Sequence, residues 1–232
     1  MSALGAAIVR WQRFQGTKLY DLALALPLVA WYADRLWDRL PEFRDAFSSA
    51  LTSPDLLNTL QLISEIGVFA FVLMVIVMLI VRVPPVAKAK GLLPRIAGFI
   101  GTFATLAYLA IEPVELSLPW QIAATVLSIV GSVFGAYCIF WLGRSFSIMA
   151  EARVLRTRGA YAFVRHPLYL AEEFIVVSAA IQFRQPWAIL IALVQLGFQI
   201  WRIHNEEGVL RRTFPEYDAY AANTARLIPG VW

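Results

Sequence analysis

The sequence predicts an all-α integral membrane protein with about six transmembrane helices. Of its 232 residues, 59% are hydrophobic and 16% are charged, whereas soluble domains are nearer half apolar and a quarter charged. The mean hydropathy is +0.65. Because each spanning helix takes about 20 apolar residues, six helices leave room only for loops and one modest site. We therefore predict a single membrane domain over residues 1–232.

Six apolar runs define the predicted spans. They are Leu19–Trp37, Leu56–Val81, Ile96–Ile111, Trp120–Leu142, Leu168–Phe183 and Trp187–Ile203. The third and fifth runs are short for a full crossing, so a tilted, re-entrant or broken helix is expected there. Beyond the sixth run, the pattern predicts helix to about Thr213 and a short second helix over Glu216–Arg226. The first 18 residues are predicted to form an amphipathic segment at the membrane interface.

The positions of the basic residues predict the orientation of the chain. Sixteen of the 20 Lys and Arg residues fall on one side of the alternating spans, and the other side holds Arg35, Arg39, Arg44 and Arg184. Because cytoplasmic loops are enriched in Lys and Arg, we predict that both termini are cytoplasmic. The same distribution accounts for the net charge of +4 without a nucleic-acid partner. One cysteine and two histidines make a poor ligand set, so no metal is expected.

Four acidic residues fall within or beside the predicted spans, where charged groups usually face the protein interior or an aqueous cavity. Asp21 is near a predicted interface and is expected to be solvated. Glu65 lies deeper, and either an internal hydrogen bond or a site explains it. Glu172 and Glu173 point to different faces of a helix, so at least one of them should face protein.

Two polar motifs carry most of the reactive groups. The first is GAYAFVRHPLY, beginning at residue 159, and the second is RIHNEE, beginning at residue 202. Pro167 suits the first turn of a helix and keeps His166 extended at the helix start. Free backbone donors at that start would face an anionic or hydroxyl group of a ligand. Arg202 and Glu206 are four residues apart and share a helix face, which either an ordinary ion pair or a shared site explains.

Together these motifs resemble those of the isoprenylcysteine carboxyl methyltransferase family and its bacterial relatives. The matching residues are Gly159, Tyr161, Arg165, His166, Pro167 and Tyr169, then Glu206, Glu207, Leu210, Phe214, Tyr217 and Tyr220, with Arg226, Ile228 and Pro229 at the end. The resemblance covers about 142–230. We therefore divide the chain into divergent transmembrane helices 1–4 over residues 1–142 and a methyltransferase core over residues 143–232.

The resemblance implies an integral membrane methyltransferase that uses S-adenosyl-L-methionine and releases S-adenosyl-L-homocysteine. Its cofactor-binding region would be cytoplasmic, and a lipid-like or isoprenoid acceptor would enter from the bilayer. The cofactor contacts would be Arg153, Val154, Leu155, Arg156, Tyr161, His166, Pro167, Leu168, Tyr169 and Glu206. Arg202 and Glu206 would be catalytic, with Arg202 at the reacting end of the substrate. The family usually has His at position 153 and a small apolar residue at 156, so contacts there could run through backbone or side chain.

The residue types suit this chemistry. Methyl transfer from a sulfonium is an in-line displacement, so orientation in a dry site supplies most of the rate. A carboxylate acceptor is already ionised near pH 7, and a guanidinium such as that of Arg202 can hold it by paired hydrogen bonds. An amine or thiol acceptor would instead need a base, for which Glu206, Glu207 or His204 are candidates.

The predicted reaction is carboxyl O-methylation of an isoprenylcysteine-like substrate, and several alternatives stay open. A phospholipid or amine N-methyltransferase and a small-thiol S-methyltransferase would share the cofactor. An NADPH-dependent sterol-type reductase has a similar C-terminal architecture, but residues 202–207 match its cofactor motif poorly. A non-enzymatic transporter or assembly factor is the third class, and the lack of an internal repeat speaks against it. The sequence leaves the oligomeric state open.

Overall fold

The computed structural model describes residues 14–183 and 185–232, which form a bundle of α-helices. The helices are α1 (Lys18–Asp38), α2 (Leu40–Thr52), α3 (Leu56–Val81), α4 (Leu93–Phe103), α5 (Leu118–Leu142), α6 (Pro167–Phe183), α7 (Pro186–Thr213) and α8 (Tyr217–Ala222). Short 3₁₀ segments cover Ala104–Ala110, Gly143–Ser145 and Gly159–Ala162. Most of the predicted interfacial segment, and Arg184, lie outside the described residues.

Helices α1, α3, α5, α6 and α7 run between the same two ends of the bundle, as does α4 together with the 3₁₀ segment Ala104–Ala110 that continues it. We call the two ends the motif end, where α5 ends and α6 begins, and the opposite end, where α5 begins and α6 ends. At the motif end, the Lys18 ammonium donates to the carbonyl of Arg82 (2.6 Å), joining α1 to the end of α3. At the opposite end, the backbone N–H of Val114 donates to the carbonyl of Gln182 (3.3 Å), which ties the loop before α5 to the end of α6.

Four of these segments are long and apolar enough to cross a membrane. They are Leu56–Val81, Leu93–Ala110, Leu118–Ser145 and Pro186–Thr213. The predicted all-α membrane architecture is therefore confirmed. Helix α6 has only 17 residues and α1 carries Asp34 and Arg35 in its last turns, so the count of six spans stays a prediction although both helices extend between the two ends.

Close helix approach in the bundle depends on small residues. A methyl carbon on Gly131 of α5 would lie 2.9 Å from the carbonyl oxygen of Ala171 and 2.6 Å from the side chain of Ile175, both in α6. No side chain fits into that gap. Small residues at helix crossings are typical of membrane bundles, where van der Waals packing drives association. The contact fixes α6 against α5. Helix α6 begins at Pro167, the last residue of the RHP motif (Arg165, His166 and Pro167).

The structure differs from the sequence prediction in three places. Helix α2 was not predicted, because its apolar residues do not form a long continuous run. Two-residue strands β1 (Ala87–Lys88) and β2 (Glu151–Ala152) pair antiparallel, so the loops at the motif end are not purely irregular. The last helix spans only Tyr217–Ala222, since the backbone carbonyls of residues 225 and 226 accept hydrogen bonds from Arg165 and His166. The third predicted span changes from α-helix to 3₁₀ geometry at Ala104, as expected for a broken helix.

Candidate functional site

The start of α6 is held in place by the C-terminal part of the chain. Arg165 donates its backbone N–H to the carbonyl of Ala225 (2.8 Å), and His166 donates its own to the carbonyl of Arg226 (3.1 Å). Pro167 has no N–H to offer and begins the helix, as predicted. The backbone of the RHP motif is thereby fixed at the motif end of the bundle.

Glu207 is the buried ionic centre of this arrangement. Its carboxylate lies 3.0 Å from the guanidinium of Arg165, 3.1 Å from that of Arg226 and 3.3 Å from Nε2 of His166. Only 2% of the residue is exposed. Glu207 therefore joins α7 to the loop before α6 and to the C-terminal segment. The sequence analysis singled out Glu206 rather than Glu207, because spacing alone does not show a buried carboxylate that contacts two guanidinium groups and an imidazole.

Glu206 faces a different neighbourhood, built around Tyr169. The Tyr169 hydroxyl donates to the Glu206 carboxylate. The Tyr169 ring stacks on the His166 imidazole at 5.4 Å between centroids. The Arg202 guanidinium lies 4.6 Å from the centroid of the Tyr169 ring, within cation–π range. The structure thus brings His166, Tyr169, Arg202 and Glu206 into one continuous cluster.

Two adjoining cavities of about 40 Å³ each open beside this cluster. The predicted cofactor residues that line one or both are Arg153, Val154, Leu155, Arg156, Tyr161, His166, Leu168, Tyr169 and Glu206. Pro167 lines neither and serves as the helix start. Segments far apart in sequence, 142–161, 165–169 and 206–220, therefore share one concave surface, which we call the cofactor cavity.

Tyr161 lines both parts of the cofactor cavity. The residue is buried, and burial raises the pKa of its phenol well above the ordinary value, so it stays neutral and protonated at physiological pH. Tyr220 donates its hydroxyl to the backbone carbonyl of Tyr161 (2.7 Å). The 3₁₀ turn leading to Tyr161 starts at Gly159, whose φ of +63° and close contact with the Trp141 indole leave no space for a side chain.

Arg153 and Asp21 require a correction of the sequence interpretation. The Arg153 side chain is fully buried and bonds the carboxylates of Asp21 (2.8 Å) and Glu151 (2.7 Å) and the carbonyl of Val83. Asp21 also binds Arg82 at 2.9 Å and is only 3% exposed, so it is not solvated as expected. The side chain of Arg153 is committed to this network, which leaves its backbone for cofactor contact.

Arg156 retains a side chain that can reach a ligand. It is half-buried, lines the cofactor cavity and donates one hydrogen bond, from Nε to the Ser145 hydroxyl (3.2 Å). Its remaining guanidinium donors have no partner among the described residues. Val154, two residues before Arg156, is exposed. This part of the cavity wall therefore lies at the protein surface.

Arg202 is buried at the inner boundary of the cluster. Its guanidinium donates to the Thr102 hydroxyl (3.2 Å) and to the carbonyl of Ser147 (3.4 Å), both long bonds. Its ionic partner in the described part of the chain is Glu172, at 3.9 Å, and not Glu206. The ordinary Arg202–Glu206 ion pair considered from the sequence is therefore not formed.

A third cavity, of about 150 Å³, extends from Arg202 into the bundle. Its wall is mainly apolar and includes Phe71, Val75, Phe146, Ile148, Ile175 and Val176; besides Arg202, its polar members are Tyr32, Thr102, Thr105, Glu172 and Gln195. Leu168 lines both this cavity and the cofactor cavity. We call it the acceptor cavity, because an apolar ligand inside it would meet the cofactor cavity at the first turn of α6.

Another cavity, of about 560 Å³, lies at the opposite end of the bundle, away from this cluster. Glu65 lines it and is held by two hydrogen bonds from the Arg39 guanidinium, each 2.8 Å. Of the two explanations for Glu65, the internal hydrogen bond is the one observed. Among residues 14–183 and 185–232, no group of three His, Cys, Asp or Glu side chains is placed to hold a metal ion.

The fold and site define a class of protein: an integral membrane protein whose polar site at one end of the bundle adjoins an apolar cavity between its helices. Residues 123–212 match the model of the isoprenylcysteine carboxyl methyltransferase (ICMT) family, which supports the resemblance drawn from its motifs. This match supports a membrane methyltransferase. No curated protein matches the chain.

Proposed function

We propose that this protein transfers the methyl group of S-adenosylmethionine to the carboxylate of a lipophilic, isoprenylcysteine-like acceptor that enters from the bilayer. The observation that supports it most directly is the junction of the two cavities at Leu168. A polar cavity and an apolar one meet there, beside the guanidinium of Arg202. Such a junction suits a reaction between a water-soluble donor and a membrane-dissolved acceptor.

The donor set of the cofactor cavity fits S-adenosylmethionine. Glu206 and Glu151 supply carboxylates for its ammonium and hydroxyl groups, Arg156 supplies a cation for its carboxylate, and Tyr161 supplies an aromatic wall. When bound, this cofactor supplies an electrophilic methyl group. Cofactor pockets usually enclose several hundred Å³, so we expect the segment 154–158, in which Val154, Thr157 and Arg158 are exposed, to move outward when the cofactor enters.

Arg202 is the residue we assign to the acceptor. It is buried, reaches the acceptor cavity, and holds its two polar neighbours, Thr102 and Ser147, by long hydrogen bonds. An acceptor carboxylate can replace these with shorter, charge-assisted bonds. Because a carboxylate needs no deprotonation, no residue has to act as a base. Glu206 takes part through its bond to Tyr169, whose ring supports the Arg202 guanidinium.

The charge pattern supports a cytoplasmic position for the cofactor cavity. The loops at the motif end carry Arg82, Lys88, Lys90, Arg144 and Arg158, and basic loops face the cytoplasm. A cytoplasmic cavity has direct access to a soluble cofactor. We therefore propose that the motif end of the bundle faces the cytoplasm.

The test uses the purified chain in detergent or lipid nanodiscs. We expect S-adenosylhomocysteine to bind stoichiometrically in titration calorimetry and NADPH not to bind. Tritiated methyl groups should pass from S-adenosylmethionine to an S-farnesylated cysteine derivative, with base-labile product as the mark of an ester. NADPH binding without S-adenosylhomocysteine binding would refute the proposal, and a base-stable methylated product would redirect it to an amine or thiol acceptor.

A further inference from the structure

Tyr32 of α1 brings a hydroxyl group without a hydrogen-bond partner to the acceptor cavity. The residue lines this cavity together with Arg202 and Glu172. Its phenol interacts electrostatically with both of these residues, so the hydroxyl and the ion pair share one part of the cavity. The hydroxyl makes no hydrogen bond with the residues that the structure describes. It is therefore available to a ligand.

The Tyr32 ring is held in place by several neighbours. It packs against the core cluster that contains Val75 and Leu168. Its centroid lies 4.8 Å from that of the Trp31 ring in an edge-on contact, and Trp31 in turn meets the Phe103 ring of α4 at 5.2 Å. A side chain that is already fixed loses little conformational entropy when its hydroxyl binds a ligand.

Two other polar members of the cavity wall, Thr102 and Gln195, are less suited to act with Arg202 on one small group. The Thr102 hydroxyl already accepts a hydrogen bond from the Arg202 guanidinium (3.2 Å). Gln195 precedes Arg202 by seven residues in α7, which places it about 10 Å away along the helix axis. A carboxylate that reaches Arg202 is therefore expected to meet Tyr32 and not Gln195.

The charge balance of the site favours a neutral hydrogen-bond donor here. With both substrates bound, Arg202 and the sulfonium of S-adenosylmethionine carry two positive charges, and Glu172 and the acceptor carboxylate carry two negative ones. A third cation would leave surplus charge in mainly apolar surroundings, which is costly. A phenol is uncharged near pH 7, so it can donate a hydrogen bond without changing this balance.

Building on the proposed function, we propose that Tyr32 is a second acceptor-binding residue, whose hydroxyl donates a hydrogen bond to the carboxylate that Arg202 holds. The acceptor is then held by α1, in the divergent half of the chain, as well as by α7. In the reaction a carboxylate oxygen forms a bond to the methyl carbon while the methyl–sulfur bond breaks and its electron pair stays on sulfur. Tyr32 keeps its proton throughout.

The hydrogen bond from Tyr32 is strongest before the reaction, because the carboxylate then carries its full negative charge. This charge is lost during methyl transfer, so Tyr32 stabilises the bound acceptor more than the transition state. Removal of the hydroxyl should therefore weaken acceptor binding without slowing the chemical step. A residue that only supported the fold would instead lower kcat or the melting temperature when changed.

The experiment compares Tyr32→Phe with Tyr137→Phe, which removes the same hydroxyl from an exposed residue of α5 outside the cavity. Both variants and the wild type are assayed in nanodiscs with N-acetyl-S-farnesylcysteine and tritiated S-adenosylmethionine. For Tyr32→Phe we expect KM for the acceptor to rise about tenfold, the usual scale for a hydrogen bond to a charged group, with kcat not lowered.

A binding measurement accompanies the kinetics. The methyl ester of the acceptor has lost the carboxylate, so its Kd, measured by titration, should rise by less than about threefold in Tyr32→Phe. The melting temperature and the affinity for S-adenosylhomocysteine should stay at the wild-type values. Tyr137→Phe should leave KM and the Kd of the ester unchanged.

The outcomes separate this proposal from the proposed function. An unchanged KM in Tyr32→Phe, an equal weakening of acid and ester, or a fall in kcat with a lower melting temperature overturns the role of Tyr32 while the proposed function stands. Failure of the wild type to methylate the acceptor or to bind S-adenosylhomocysteine overturns the proposed function and this role with it, and that result is seen without any variant.

Discussion

Glu206 and Glu207 are adjacent in the chain, yet their carboxylates belong to different parts of the molecule. Glu206 accepts the Tyr169 hydroxyl beside the cofactor cavity, whereas Glu207 is enclosed by Arg165, His166 and Arg226. Successive helix residues point about 100° apart, which gives each acid its own neighbours. We propose that Glu206 serves the reaction and that Glu207 stabilises the site.

Matched substitutions should separate these two roles. Glu207→Gln leaves two guanidinium groups without their buried anion, so we expect the free energy of unfolding to fall by about 3 to 5 kcal/mol. Glu206→Gln should change stability little and weaken S-adenosylhomocysteine binding by about 1 to 3 kcal/mol. Thermal melting and titration calorimetry on both variants test this. The reverse pattern would show that the assignments of the two acids are exchanged.

Arg202→Lys probes the orientation of the acceptor. Lysine keeps the positive charge but loses the planar pair of donors, so we expect kcat to fall by more than about tenfold with the cofactor affinity unchanged. Steady-state methyl transfer, S-adenosylhomocysteine titration and melting temperature are measured on the same preparation. A lowered melting temperature with normal kcat would assign Arg202 to the fold instead.

Asp21→Asn probes the buried ion network under the β1–β2 pair. The change leaves the guanidinium groups of Arg82 and Arg153 short of a counter-ion, and we expect a loss of stability of about 3 kcal/mol or more. Asp34→Asn is the matched control in the same helix, because its partner Arg35 is at the surface and the melting temperature should hardly change. Equal melting temperatures for the two variants would contradict the structural role of Asp21.

Reporter fusions distinguish six membrane crossings from four. If α1 and α6 cross the membrane with the four longer segments, fusions after Glu115 and after Trp232 report opposite sides. If only the four longer segments cross, α6 contributes no crossing and the two fusions report the same side. We expect opposite sides, with Trp232 cytoplasmic, because Lys and Arg lie mainly at the motif end.

Much of the fold was visible in the sequence because a bilayer leaves few solutions for a long apolar run. The spans around α3, α5 and α7 were predicted close to their observed bounds, and Pro167 marked the start of α6. Helix α2 was not predicted because its apolar residues are interspersed with charged ones, as is usual in a surface helix. The last helix was predicted too long, since residues 225 and 226 look helical locally but bond to the RHP motif.

The candidate site was predictable as a set of residues and less so as a set of contacts. The motifs named His166, Tyr169 and Glu206, which the structure brings together. The burial of Asp21 with Arg153 was missed, because the two are 132 positions apart and nothing local links them. The pairing of Arg202 with Glu172 was missed for the same reason. The two residues lie on different helices, so their spacing in the sequence does not indicate the contact.

The backbone bonds between residues 165–166 and 225–226 set the order in which the site can form. A chain emerges from the ribosome from its N-terminus, and its early parts begin to fold first. Residues 225 and 226 follow every helix of the bundle in synthesis, and until they are made the RHP motif lacks two of its backbone partners and Glu207 lacks Arg226. The site at the motif end is therefore expected to form after the segments that it joins, once residues 225 and 226 reach the start of α6.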